Sequence, residues 1–191
     1  MIAMFALSLV TPANAGEIAL TRGGSPGLFV FVDGEAKGKL TKKEPMTLPA
    51  TDGKHELWFS WDDDAYNTAC HGTIELKGSF AWEVAPLKQG CDVLTNEIPD
   101  KTMARGAFLH ITSASGDTTL YTGEIDGRYA NGTGLYNLAP GGHTVLIKAG
   151  AGQDQHQVCV GTVTLAANES RTFLLTPSQC TGFDNELHIV H

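Results

Sequence analysis

Basic residues are scarce in this chain: 13 Lys and Arg stand against 21 Asp and Glu, for a net charge of −8. No basic run, and no stripe of basic residues interleaved with aromatics, is present to neutralise phosphates, which argues against DNA or RNA as a partner. Long apolar runs are missing too. The longest, within Met1–Ala15, is too short to span a bilayer, and no cysteine follows it to accept a lipid. The common catalytic motifs are also absent: there is no GxSxG elbow, no HExxH pair and no P-loop. Gly23-Gly24-Ser25-Pro26-Gly27 is glycine-rich, but no helix follows it to present amides to a phosphate, so it reads as a turn between strands. No CxxC spacing recommends the cysteines as zinc ligands. The expectation is a noncatalytic protein with no cofactor and no metal.

What is present is a duplication. Cys70 and Cys91 recur as Cys159 and Cys180, both 89 residues further on. The same offset carries Gly72-Thr73 and Leu76 to Gly161-Thr162 and Leu165. Upstream it carries Leu20 to Leu109, Gly34-Glu35 to Gly123-Glu124 and Gly38 to Gly127, while Gly53-Lys54-His55 matches Gly141-Gly142-His143 after a slip of one residue. A period this long belongs to whole domains in tandem rather than to the short units of a solenoid. The expected boundaries are 16–98 and 105–191, with a linker at 99–104. Self-contained copies would pair Cys70 with Cys91 and Cys159 with Cys180. Closing a loop of that size removes about 3 kcal/mol of unfolded-state entropy on the chain model, a large share of a small domain's stability.

Met1–Ala15 ends on Ala13-Asn14-Ala15, the small-residue pattern of a cleavage site after an apolar run, although a basic start is missing. An exported chain, periplasmic or extracellular, is expected, and that compartment favours disulfides. Short strands punctuated by glycine fill the rest: 28–32, 55–61, 73–76 and 81–84 in the first copy, and 107–111, 120–122, 144–148, 158–165 and 171–175 in the second. No helical apolar period exceeds two turns. The expected fold is all-β, two tandem disulfide-containing β-sandwich domains.

Val30-Phe31-Val32-Asp33-Gly34, then Gly38, Leu48-Pro49 and Gly53-Lys54-His55-Glu56-Leu57, resembles the PEGA domain pattern. That pattern is a strand, an Asp-Gly turn, a second glycine, and a Leu-Pro-Gly-x-His turn into another strand. The second copy repeats it as Tyr121-Thr122-Gly123, Gly127 and Leu138-Ala139-Pro140-Gly141-Gly142-His143-Thr144-Val145, without an Asp at the Tyr121-Thr122-Gly123 turn. The resemblance covers about 30 residues of each copy and rests on turn chemistry, which immunoglobulin-like and transthyretin-like modules share. It implies an extracytoplasmic β-sandwich used for envelope attachment or protein contact, with no catalytic residues to carry over.

The candidate binding residues are Trp58, Trp61, Asp62, Asp63, Asp64 and Tyr66. Alternation puts Trp58 and Trp61 on opposite sides of one strand, so at most one belongs to the core and the other is free to form a platform beside Tyr66 and the aspartates. Such a patch suits a sugar ring or a protein hot spot; the bland alternative packs Trp58 against the linker or the other domain. Asp62–Asp64 offer hard oxygens for calcium but match no EF-hand loop, and a solvated hairpin tip is favoured. His55 and His143 recur at equivalent positions, as turn histidines packing beneath a hairpin or as a repeated site. His188 and His191 have a metal-like spacing on a segment that reads as strand or tail. The favoured function is a structural or adaptor protein making protein contacts in the cell envelope or an extracellular assembly. The alternatives are a carbohydrate-binding module and, with only Pro26 in an exposed turn to suggest it, an enzyme inhibitor.

Overall fold

The computed structural model describes residues 15–24, 26–86, 90–95, 107–113, 121–130, 134–150, 156–176 and 179–189. The expected leader, apart from Ala15, and the linker at 99–104 lie outside them. All 16 named elements are strands. The first copy holds β1 (Ala15–Arg22), β2 (Leu28–Val32), β3 (Glu35–Leu40), β4 (Met46–Thr51), β5 (Gly53–Ser60), β6 (Asn67–Leu76) and β7 (Ser79–Val84). The second holds β8 (Ala107–Ser113), β9 (Tyr121–Ile125), β10 (Arg128–Ala130), β11 (Gly134–Leu138), β12 (Gly141–Ala149), β13 (His156–Leu165), β14 (Glu169–Thr176), β15 (Gln179–Thr181) and β16 (Asn185–Ile189).

The duplication is visible in the strand order. In the first copy β4-β1-β7 stacks on β3-β2-β5-β6; in the second β11-β8-β14 stacks on β10-β9-β12-β13. In each, the first strand pairs antiparallel on one side and parallel on the other. The chain is therefore two all-β sandwiches. One core joins Ile18, Leu20, Val30, Leu57, Phe59 and Trp82; the other joins Leu109, Ile111, Val145, Val163 and Phe173.

The copies are not separate beads. β6 of the first pairs antiparallel with β11 of the second, through Leu135 opposite Thr68 and Tyr136 opposite Asn67. This fuses half of each sandwich into one eight-stranded sheet, β15-β14-β8-β11-β6-β5-β2-β3. Its far face explains why β2 reads as the unbroken apolar run Leu-Phe-Val-Phe-Val. Leu28, Val30 and Val32 enter the first core, while Phe31 faces the other way with Trp58, Ala65 and Phe108. Trp58 and Phe108 sit three strands apart, about 14 Å on a flat sheet. Their ring centroids are 5.7 Å apart, so the sheet curls at the β6–β11 seam and brings them together.

The structure corrects part of the sequence register. The offset of 89 holds at the cysteines but drifts upstream. Ile18 faces Leu48 where Leu109 faces Tyr136, and Leu20 faces Trp82 where Ile111 faces Phe173. The counterpart of Leu20 is thus Ile111, not Leu109. Gly34 occupies the β2–β3 turn at φ 80°, after Asp33 at φ 51°, and the matching turn is Asp126-Gly127 at φ 53° and 76°. Gly123 lies within β9 instead. Two left-handed residues in a row fit a tight hairpin, and Asp-Gly adopts them at little cost. The drift arises because the second copy has a longer β8–β9 connection and a shorter β10–β11 one.

Candidate functional site

Cys70 and Cys91 are disulfide-bonded, with Cα atoms 5.7 Å apart. The segment they tether crosses the outer edge of β6, where Thr95 bridges Thr73 and Leu94 fills the core. A Cβ on Gly72 would collide with Leu94 and the Thr95 carbonyl, and one on Gly161 with the Phe183 ring. That close approach is why both glycines recur. Cys159 is disulfide-bonded and fully buried; the Cys180 side chain lies outside the described residues.

The sequence-predicted binding patch is largely used up inside the molecule. Trp58 is fully buried, against Phe108 of the other sandwich and, at 5.3 Å, the His71 ring beside it. It offers no face to a ligand, and the bland alternative of packing against the other domain describes it. Burial and the neighbouring charge of His110 together lower the His71 pKa. Trp61, on the opposite side, packs half-buried on the first core. Tyr66 leaves its own sandwich altogether and enters the second core, 5.4 Å from Tyr136.

The aspartates hold this loop. Asp62 Oδ1 accepts the Tyr66 amide at 2.8 Å and Oδ2 accepts the Asn67 amide at 3.0 Å. Arg128, on β10 of the other sandwich, donates from Nη1 and Nη2 to the two Asp64 oxygens at 2.7 and 2.8 Å, and from Nη2 to Asp62 Oδ2 at 3.2 Å. Its guanidinium lies 3.8 Å above the Tyr66 ring. A cation of the chain itself therefore sits where the sequence suggested calcium. Burial raises the Asp62 pKa against the pull of its Ser60 and Asn67 hydrogen bonds, and Asp64 raises it further. The Arg128 pKa is raised chiefly by its hydrogen bond to Asp64. Burial pushes the Tyr66 phenol up to about 12. Asp63 alone of the three is exposed with no ion pair among the described residues. The patch expected to bind a ligand is thus mostly a key that fits the first sandwich into the second.

A second arrangement occurs twice. His55 Nδ1 donates to Asp33 Oδ2 at 2.7 Å and Nε2 to the Thr51 carbonyl at 2.6 Å, while Asp33 Oδ1 accepts the Glu56 amide at 2.9 Å. In the second copy His143 Nδ1 meets Asp126 Oδ2 at 2.6 Å and Nε2 the Ala139 carbonyl at 2.8 Å, while Asp126 Oδ1 accepts the Thr144 amide at 2.8 Å. Both ring nitrogens of each histidine face acceptors, and for His55 the two bonds together specify the imidazolium. For His55 burial opposes that charge, but the Asp33 and Thr51 hydrogen bonds and the Asp33 and Glu75 charges outweigh it and raise the pKa. Each pair clamps the turn before β5 or β12 onto the Asp-Gly hairpin. The aspartates were missed in the sequence because their offset, 93 residues, differs from that of the histidines, 88; aligning the two Asp-Gly dipeptides was the signal available.

His188 lies in β16 with its backbone opposite Val160; its side chain and His191 are outside the described residues. Among the described residues no helix is long and apolar enough to cross a membrane.

No protein-family model and no curated protein sequence matches this chain. Among solved structures, a leucine-rich repeat protein from Bacteroides thetaiotaomicron matches over 84% of this chain and 26% of its own, at 9% identity and a TM-score of 0.23. The chain spans about a quarter of that protein's length, and a likeness so slight carries no argument.

Proposed function

We propose that this is a noncatalytic exported protein, a rigid pair of PEGA-like sandwiches serving as a structural or adaptor component of the cell envelope or an extracellular assembly. One observation carries the reading: the residues chemically richest in binding potential, Trp58, Asp62, Asp64 and Tyr66, are spent on joining the two sandwiches. A molecule that invests its aromatics and charges in holding two domains at a fixed angle is suited to presenting surfaces to other proteins. The disulfides fit an oxidising compartment. The Asp126-Gly127 turn supports the family resemblance, because it supplies the second copy with the Asp that the pattern requires.

The test is crosslinking in the native host with identification of what is captured and of the mature N-terminus. Reproducible capture of one or two envelope proteins supports the reading. Co-sedimentation with cell-wall glycan, abolished by Trp61→Ala, would overturn it in favour of the carbohydrate-binding alternative, since Trp61 and Asp63 are the members of the patch that the joint does not use.

A further inference from the structure

The side of the second sandwich that meets the first has its equivalent in the first sandwich, and among the described residues only the second is paired there. The shared contacts of the histidines, His55 to Thr51 and His143 to Ala139, place Pro49 where the second copy has Asn137, and Leu48 where it has Tyr136. The shared Asp-Gly turns place Glu35 where it has Arg128. All three second-copy residues make the joint. The Asn137 amide donates to the Tyr66 carbonyl at 2.9 Å, Arg128 pairs with Asp62 and Asp64, and Tyr136 packs on Tyr66. In the first copy each contribution is removed. Proline has no N–H to donate, glutamate reverses the charge, and leucine leaves its position half-buried where Tyr136 is fully buried.

The orientation of β4 makes the proline decisive. The Glu17 amide donates to Gly78, toward β7. Alternation then turns the backbone groups of Ile18, and of Leu48 opposite it, toward each other, and those of Thr47, Pro49 and Thr51 outward. Among the described residues β4 ends its three-stranded sheet, and Thr47, Pro49 and Thr51 are exposed. Met46, Leu48 and Ala50 lie half-buried along it against the core, as apolar surface that a further strand would cover. Without Pro49 this is a six-residue edge able to pair with itself about a two-fold axis.

We propose that Pro49 closes the β4 edge, the counterpart of the β11 edge that pairs with β6, against antiparallel pairing with β4 of a second copy of this chain. The test compares sedimentation of the full chain with that of Pro49→Asn and Pro49→Ala variants over a wide concentration range, together with amide exchange at Thr47 and Thr51. The parent is expected to keep one mass. The variants are expected to rise with concentration toward about twice that mass, as a two-fold pair requires, with slowed exchange at β4. Variants that melt like the parent and match its mass at every concentration would overturn the proposal, as would a parent that already associates through β4. Asn137→Pro is the reciprocal measurement: it is expected to strip exchange protection from the β6–β11 seam. A seam left as protected as the parent's would break the equivalence on which the proposal rests.

Discussion

The two cores are built on one plan but owned differently. Among the described residues, the first draws its buried residues from its own copy, from Ile18 to Leu94, whereas the second includes Tyr66, a residue of its neighbour. Duplicated domains have thus diverged into a donor and an acceptor, and the acceptor depends on the joint as the donor does not. A smaller third cluster, Phe31, Trp58 and Ala65 with Phe108, belongs to both.

Substitutions at the joint break this comparison most directly. Trp58→Ala, in the shared cluster, should cost roughly 3–5 kcal/mol and separate the melting of the two sandwiches; a single unshifted calorimetric transition would count against a shared seam. Tyr66→Ala should cost nearly as much, roughly 3–4 kcal/mol, but the loss should fall on one side. Hydrogen exchange should speed up in β11 to β13 and stay slow in β1 and β5. Equal losses in both would mean that the acceptor is no more dependent than the donor. Replacing Cys70 and Cys91 by serine should cost about 3 kcal/mol, this time in the first sandwich, read as a lower midpoint for that domain alone.

The two histidine clamps sharpen the comparison from the opposite direction, because here the copies are alike. His55→Gln or His143→Gln should each cost about 1–2 kcal/mol, discounted for the half-exposed aspartates. The pH dependence has a definite sign. The pKa of His55 is raised above 6.5 in the folded state, so its contribution is complete below pH 6.5 and is lost as pH rises through the folded value. The melting temperature of the parent should fall over that range, and that of His55→Gln should fall less. Ring nitrogen shifts of the neutral form for His55 at pH 6 would refute its imidazolium assignment. The smallest effect belongs to Arg128→Ala, about 1 kcal/mol for a half-exposed cation, visible as faster exchange at Tyr66 and Asn67.

The sequence announced the parts that repeat in step and hid those that do not. The cysteines, Gly72 and Gly161 share one offset, and the all-β plan followed from short strands and glycine turns. β1, β3, β4, β10, β11 and β15 went unread, β3 and β4 because their patterns are weak: Glu-Ala-Lys-Gly-Lys-Leu is exposed for five of its six positions, and Met-Thr-Leu-Pro-Ala-Thr carries a proline. The aromatic-acidic patch was seen as a cluster, but its destination was not. Arg128 is 64 residues from Asp64, and no local periodicity can pair residues that distant. Trp58 looked like a surface candidate because strand alternation assigns one side to the core and the other to solvent. The curled sheet gave that second side a partner in Phe108.

Tyr66 also imposes an order in time. A polypeptide is synthesised from its N-terminus, and domains generally fold as they emerge. The first sandwich can close on residues already made, and when Tyr136 and Phe173 follow, the side chain that completes their core is standing in place. The first sandwich then works as a built-in template for the second, and moving the donor downstream of the acceptor, by exchanging the two copies in the gene, would leave the acceptor waiting with an open core.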